Sequence, residues 1–209
     1  MRILIFGATG RTGRELVAQA LEGGHEVTAF VRDPNKLTLR GARLKITQGD
    51  IRLPETIRAA TPGQDAVLSA LGVRSLGRTT MLSDAAQEIV RTMEAKGVRR
   101  ILWESSLGVG ETRGQLGPVY NRLLIPLLLR HIFADKESQE SILRASTLEW
   151  TIVQPASLTN GPRTGKYRVG KDATGGRLFP RISRADVAHF MLEELVRRAH
   201  VRQVVPLCY

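Results

Sequence analysis

Residues 2–13, RILIFGATGRTG, constrain the fold more than any other stretch of the chain. A short apolar run (Ile3, Leu4, Ile5, Phe6) ends at Gly7, and glycines recur at Gly10 and Gly13. A helical pattern follows from Thr12 to Leu21, with Leu16, Val17, Ala20 and Leu21 on one side. The predicted order is buried strand, tight turn, helix N-terminus. Such a turn sets free backbone N–H groups and the positive end of a helix dipole beside an anion, here a pyrophosphate. Gly7 permits the sharp exit from the strand, Gly10 lets a phosphate approach the backbone, and Gly13 lets the helix pack on the sheet. The spacing is G-x-x-G-x-x-G rather than the dehydrogenase G-x-G-x-x-G, so the flanking strand and helix carry the reading.

Alternation continues downstream. Gly23-Gly24 stop the first helix, and Glu26 to Val31 reads as a second strand. In a dinucleotide-binding fold the end of this strand faces the adenosine ribose. An acid there accepts from both ribose hydroxyls and favours NAD, whereas an arginine pairs with a 2′-phosphate and favours NADP. Arg32 stands at that point, with Arg11 of the glycine loop able to close on the same phosphate, and Asp33 reads as a turn residue before Pro34. Ala42 to Gln48 is a third strand. Asp50 after it either bonds an adenine amino group, with Ile51 on the ring, or caps the weak helix from Pro54 to Ala60. Ala66 to Leu71 is a fourth strand, Gly72 lets backbone lie near the cofactor, and Arg74 to Arg78 is a polar loop. Thr79 to Lys96 is a long amphipathic helix ended by Gly97, and Val98 to Trp103 is a fifth strand followed by Glu104, Ser105 and Ser106.

Residues 108–117 read as loop. The leucine-rich run from Pro118 to Arg130, broken by Pro126, is either a helix lining a pocket or a kinked core segment. Asp135 to Ala145 is helix and Glu149 to Gln154 strand, closed by Pro155. Residues 157–170 form a Gly/Pro/Thr-rich loop placed to fold over the site. Ser183 with Asp186 resembles a capping box for a helix through Val196, and Gln203 to Leu207 is a last short strand. Repeated strand–helix alternation predicts an α/β protein: a doubly wound parallel sheet with right-handed crossovers, in three α/β/α layers. A single domain over 1–209 is expected, with a substrate-loop region at about 107–180.

Composition narrows the options. The 209 residues suffice for one sizeable core. No eighteen-residue apolar run occurs, and the first strand begins too early for a signal peptide, so a cytoplasmic protein without a membrane is expected. One cysteine, Cys208, and four scattered histidines leave no disulfide framework or metal site. The net charge is +11, but 25 of the 31 basic residues are arginines scattered along the chain. Aromatic residues are too few for a nucleic-acid stacking platform, and the charge better serves an anionic dinucleotide.

GATGRTG (7–13), FVRDPNKL (30–37), GDI (49–51), GQDAVLSALG (63–72), ESS (104–106), DKESQESILRASTLEWTIVQP (135–155), TNGPRTGKY (159–167) and ISRADVAHFML (182–192) together resemble the atypical short-chain dehydrogenase/reductases. Within them the chain is most similar to the NAD(P)H-binding group of flavin reductase/biliverdin-IXβ reductase and NmrA-like proteins. The resemblance spans nearly the full length. It implies a Rossmann fold, NADP(H) binding and NADPH-dependent reduction of flavins, quinones or tetrapyrroles, and it fixes the cofactor better than the substrate.

The departures matter. The Tyr-x-x-x-Lys pair of many short-chain dehydrogenases is missing: Tyr120 is followed four residues on by Leu124. Ser157 replaces a histidine that biliverdin-type enzymes carry after strand six. The expected activity is hydride transfer from NADPH to a planar flavin or quinone, which takes its proton from water. Gly7, Thr9, Gly10, Arg11, Thr12 and Gly13 are expected to hold the pyrophosphate, Arg32 the 2′-phosphate, and Asp50 and Ile51 the adenine. Leu71, Gly72, Pro155 and Ala156 would border the nicotinamide side. Ser105 is placed beside them, and Ser106 either bonds the nicotinamide or acceptor, as a tentative catalytic residue, or caps backbone at the strand end. The alternative is an NmrA-like redox sensor that binds NADP without turnover, and a further one is an assembly factor that keeps the nucleotide as a stabilising ligand. The acceptor and the oligomeric state are left open.

Overall fold

The computed structural model describes residues 1–73 and 76–209, so the polar loop expected at 74–78 begins outside the described residues. Strands β1 (Arg2–Phe6), β2 (Glu26–Val31), β3 (Leu44–Gln48), β4 (Ala66–Ser69), β5 (Arg100–Glu104), β6 (Glu149–Pro155) and β10 (Gln203–Cys208) pair in parallel in the order β3-β2-β1-β4-β5-β6-β10. The chain runs outward from β1 to β3, then returns and runs the other way from β4. The switch point between β1 and β4 is where such sheets bind ligands, beyond the carboxyl ends of their strands.

Apolar residues occupy successive positions of the central strands because both faces of the sheet are covered. Ile3 and Ile5 face the core beneath α1 (Arg11–Glu22) and α5 (Arg184–Arg197), while Leu4 and Phe6 face the core beneath α2 (Pro54–Ala60), α3 (Met81–Lys96) and α4 (Arg130–Ala145). This is the doubly wound, three-layer Rossmann arrangement.

Helix ends follow local chemistry. Gly97 closes α3 in the left-handed conformation, at φ 71°. The Asp135 carboxylate accepts from the Leu82 and Ser83 amides and caps its start, at 2.9 and 3.0 Å. The Ser183 hydroxyl accepts from the Asp186 amide at 3.0 Å, half of the expected capping box. Asp186 does not reciprocate. Its carboxylate accepts from the Thr164 and Gly165 amides and the Thr164 and Tyr209 hydroxyls, pinning the loop after β6 and the last residue to α5. Burial alone would raise this carboxyl, yet those four donors hold it below the usual aspartate range.

Two expectations need correction. Residues 157–170 are not all loop: β7 (Ser157–Thr159) pairs in parallel with β9 (Arg181–Ser183), and β8 (Arg168–Val169) adds antiparallel to β10. The run from Pro118 to Arg130 is not core. Tyr120–Leu129 winds as a π-helix around Pro126, none of its residues is buried, and it leads directly into α4, which starts earlier than expected. Pro126 has no N–H for an ordinary helical turn, and wide winding accommodates it.

Candidate functional site

The glycine turn folds as the sequence predicts. Gly7 has φ 76°, in the left-handed region, and a Cβ there would lie 2.4 Å from the Ala70 carbonyl oxygen on β4's exit. The Gly10 amide closes the turn onto the Gly7 carbonyl at 2.8 Å. A Cβ on Gly13 would lie 2.1 Å from the same carbonyl oxygen, so glycine sets how closely α1 meets the turn.

The N-terminus of α1 differs from those of α3 and α5. Gly10 supplies no side-chain cap, and no acidic residue stands in the first turn. The unshared N–H groups and the dipole therefore point at the β1/β4 switch point without a side-chain cap. A pyrophosphate fits that chemistry.

Around this turn the predicted residues divide. Thr9 and Gly10 are part-exposed on it, Arg11 is exposed, and Thr12 is buried. Arg32 is exposed just past β2. Asp33 accepts the Asn35 amide at 3.0 Å, the turn role expected of it. Asp50 neither caps α2, whose N-cap is Leu53, nor stands alone. It accepts from the Arg52 amide at 3.0 Å and pairs with the Arg52 guanidinium at 2.6 Å. That guanidinium, helped by the charge of Arg32, holds its carboxyl below the usual range. Ile51 lines a cleft of about 550 Å³ between α2 and α3, together with Pro54, Met81 and Ala85.

Leu71 is part-exposed and Gly72 exposed beyond β4; a Cβ on Gly72 meets nothing within 4 Å. Pro155 ends β6 and Ala156 follows it, both buried. Ser105 and Ser106 separate in role. The buried Ser105 hydroxyl donates to Glu140 on α4 at 2.5 Å, and Glu140 also accepts from Gln154 at 2.8 Å. Gln154 in turn accepts from Thr112 at 2.7 Å. Ser105 thus belongs to a closed network that fixes α4 against β5 and β6. Ser106 is part-exposed, and its hydroxyl has no partner among the described residues. Tyr120 reaches across to Ser157, their hydroxyl oxygens 3.0 Å apart.

The structure adds three residues that the sequence reading missed: Glu104, Lys136 and Arg184. Glu104 ends β5, directly after the apolar run Ile101 to Trp103, and is 7% exposed, its carboxylate accepting from Thr12 in the first turn of α1 at 3.1 Å. Burial pushes this carboxyl up, while Lys136, the Thr12 hydroxyl and Arg184 pull it down. Lys136, one turn ahead of Glu140 on α4, is half-buried. Burial lowers its ammonium, opposed by Glu104, Glu140 and Asp135. Arg184 opens α5, bonded to Asn160 at 2.7 Å, and burial and the charge of Arg11 lower it. A buried acid, a desolvated lysine and two arginines therefore surround the start of α1. An acid directly after the apolar run Ile101 to Trp103 was a visible signal for Glu104. Lys136, inside the charged run DKE, looks like a solvated helix residue.

This fold and this turn define a Rossmann-type nucleotide-binding protein. The chain belongs to the NAD(P)H-binding family, whose model matches residues 7–198. YhfK of Bacillus subtilis, named as an uncharacterised sugar epimerase, is 31% identical over 93% of this chain and 88% of its own length. The crystal structure of the oxidoreductase ylbE from Lactococcus lactis superposes with a TM-score of 0.84 at 21% identity, covering 99% of this chain and 90% of its own. A Streptococcus pneumoniae structure assigned as an NADH-flavin reductase has a TM-score of 0.80 at 26% identity, covering 100% and 99%. Among the described residues no helix is long and apolar enough to cross a membrane, and no cluster of metal-ligating side chains occurs.

Proposed function

We propose that the protein is an NADPH-dependent reductase that passes hydride to a planar acceptor, a flavin or a quinone. The observation that carries this reading is the start of α1 at the β1/β4 switch point, which no side chain caps, with the buried Glu104 bonded to Thr12 there and the charges of Lys136 and Arg184 acting on that carboxylate. Similarity to the S. pneumoniae protein assigned as an NADH-flavin reductase supports the choice of acceptor. The epimerase name of YhfK supports a different chemistry, but Tyr120 is followed by Leu124 where a Tyr-x-x-x-Lys base would be completed.

NADPH supplies the hydride when bound. Gly7, Thr9, Gly10, Arg11, Thr12 and Gly13 hold its pyrophosphate, with Ile51 and Asp50 at the adenine end. Leu71, Gly72, Pro155 and Ala156 border the nicotinamide side, and Ser106 offers the hydroxyl beside the acceptor. Lys136 holds a positive charge where the acceptor gains a negative one, a form of electrostatic stabilisation that removal exposes directly. Lys136→Met is expected to lower kcat by about tenfold or more and to remove the alkaline decline of the kcat profile. The sign follows from the cation: it acts only while protonated, so activity falls as pH rises through its lowered pKa. A profile unchanged in Lys136→Met assigns the alkaline limb to another group.

The coenzyme preference rests on Arg32, exposed past β2 while Asp33 is held in its own turn. The first test is loss of reduced-nicotinamide absorbance with NADPH and NADH in parallel, offering FMN, FAD and a small quinone. Consumption of NADPH well ahead of NADH is expected. Arg32→Glu should weaken NADPH binding by about tenfold to a hundredfold and leave NADH nearly unchanged, because one charge-assisted pair is lost and replaced by repulsion. Unaltered NADPH affinity in that variant would falsify the 2′-phosphate contact. Tight binding without consumption by any acceptor points to the sensor instead.

A further inference from the structure

A helical stretch as apolar as Leu123 to Leu129 ordinarily packs in a core. In the π-wound segment Tyr120–Leu129, YNRLLIPLLL, no residue is buried. Its inner side is anchored: Tyr120 and Ile125 pack on the core, and Tyr120 meets Ser157. This fixes which side chains face out. Leu123, Leu127 and Leu128 are each at least half exposed, Val119 stands just ahead of them, and Pro126 is exposed between them.

A second loop adds to the same face. A Cβ on Gly117 would lie 2.4 Å from the Leu178 carbonyl oxygen, so the two backbones abut. Leu178 and Phe179 are both 64% exposed. Six large apolar side chains therefore stand in water on two neighbouring segments, a patch of the kind that marks an interaction surface.

The charges within the two segments have one sign. No aspartate or glutamate occurs in residues 112–134 or 173–185, whereas Arg122, Arg130, Arg177 and Arg181 flank the exposed leucines and Phe179. All four are exposed, and the guanidinium groups of Arg122, Arg177 and Arg181 have no acceptor among the described residues. Two copies meeting here about a two-fold axis would set these arginines against each other with no carboxylate between them. An anionic lipid surface satisfies both halves of the face: acyl chains take the leucines, and phosphates take the arginines.

We propose that residues 118–130 and 177–181 form a docking face for an anionic lipid bilayer, with Leu123, Leu127, Leu128, Leu178 and Phe179 seated at the headgroup–acyl boundary. The expectation of a protein without a membrane, drawn from the lack of a long apolar run, excludes a spanning helix but not this peripheral mode. The inference stands apart from the coenzyme and acceptor assigned above.

The test is flotation of the full chain with vesicles of phosphatidylcholine alone and of phosphatidylcholine with about 30% phosphatidylglycerol. Binding to the anionic vesicles at least about tenfold above the neutral ones is expected, weakening as salt is raised. Leu123→Glu with Leu127→Glu should abolish it, and so should Arg122→Glu with Arg177→Glu; both pairs sit on the surface and should melt at the parent temperature. Absence of vesicle binding overturns the proposal, as does binding indifferent to lipid charge. A parent dimer that the leucine pair turns into monomer, without vesicle binding, overturns it in favour of self-association.

Discussion

Gly13→Ala should lose nucleotide binding by more than about a hundredfold and melt well below the parent chain. The added Cβ would sit 2.1 Å from the Gly7 carbonyl oxygen, 2.7 Å from its carbon and 2.9 Å from the Ala8 Cα. All three obstacles are main chain, so no side chain can swing aside. Overpacking a flexible core site costs about 1–3 kcal/mol, and a clash with backbone lies at or beyond the upper end. Moving α1 outward to relieve it would also pull the helix N-terminus from the switch point, coupling stability to binding. Gly72→Ala is the control, since nothing lies within 4 Å of its Cβ. That variant should melt normally, yet bind NADPH about tenfold more weakly if backbone and nicotinamide meet there. Titration and thermal melting of both variants separate the two effects. Normal binding by Gly13→Ala would show that the nucleotide lies elsewhere.

The second large effect is purely structural. At the amino end of β5, Arg100 is 2% exposed, its guanidinium donating to the Glu149 carbonyl, the Thr151 hydroxyl and the Glu194 carboxylate. Glu194, equally buried, also accepts from the His200 amide and faces its ring nitrogen, each at 2.8 Å. Burial lowers the Arg100 guanidinium, and the Glu194 charge opposes that. Glu194→Ala leaves a buried cation without its partner and should cost about 3–5 kcal/mol. In a chain of this size that is a fall of roughly 10 °C in Tm. Arg100→Met with Glu194→Leu should recover most of the loss, because neither charge is then stranded. Nucleotide affinity per folded molecule should not change in either, since the proposed site lies at the other end of β5. A fall of less than about 1 kcal/mol for Glu194→Ala by urea unfolding would mean that water reaches Arg100.

How much of this was legible in the sequence depends on whether the signal was local. The glycine turn, β2 and α2 appear at or within a residue of their predicted limits because glycine, proline and apolar runs act through the backbone nearby. The turn role of Asp33 was readable for the same reason. Asp50 was less so: its partner, Arg52, is two residues away, but an Asx turn and a helix cap look alike in one dimension. Tertiary pairings could not be read at all. The Ser105 bond to Glu140 spans 35 residues, and the Thr12 bond to Glu104 spans 92. The leucine-rich run misled because hydrophobicity reports a preference for burial, not whether the fold supplies a partner.

The two ends of the main sheet bear on how copies of this protein can meet. At one end β8 contributes only two residues, both exposed, and turns antiparallel to β10 before Gly170. At the other, β3 carries Lys45 exposed on its outer strand. A short strand and a charged one are both poor templates for a further strand from another molecule. Fibril-like growth through main-chain pairing is thereby discouraged at each margin. Shortening the chain so that residues 168 and 169 are lost would make β10 the margin of the sheet, where Pro206, which has no N–H to pair, is the remaining obstacle to a further strand.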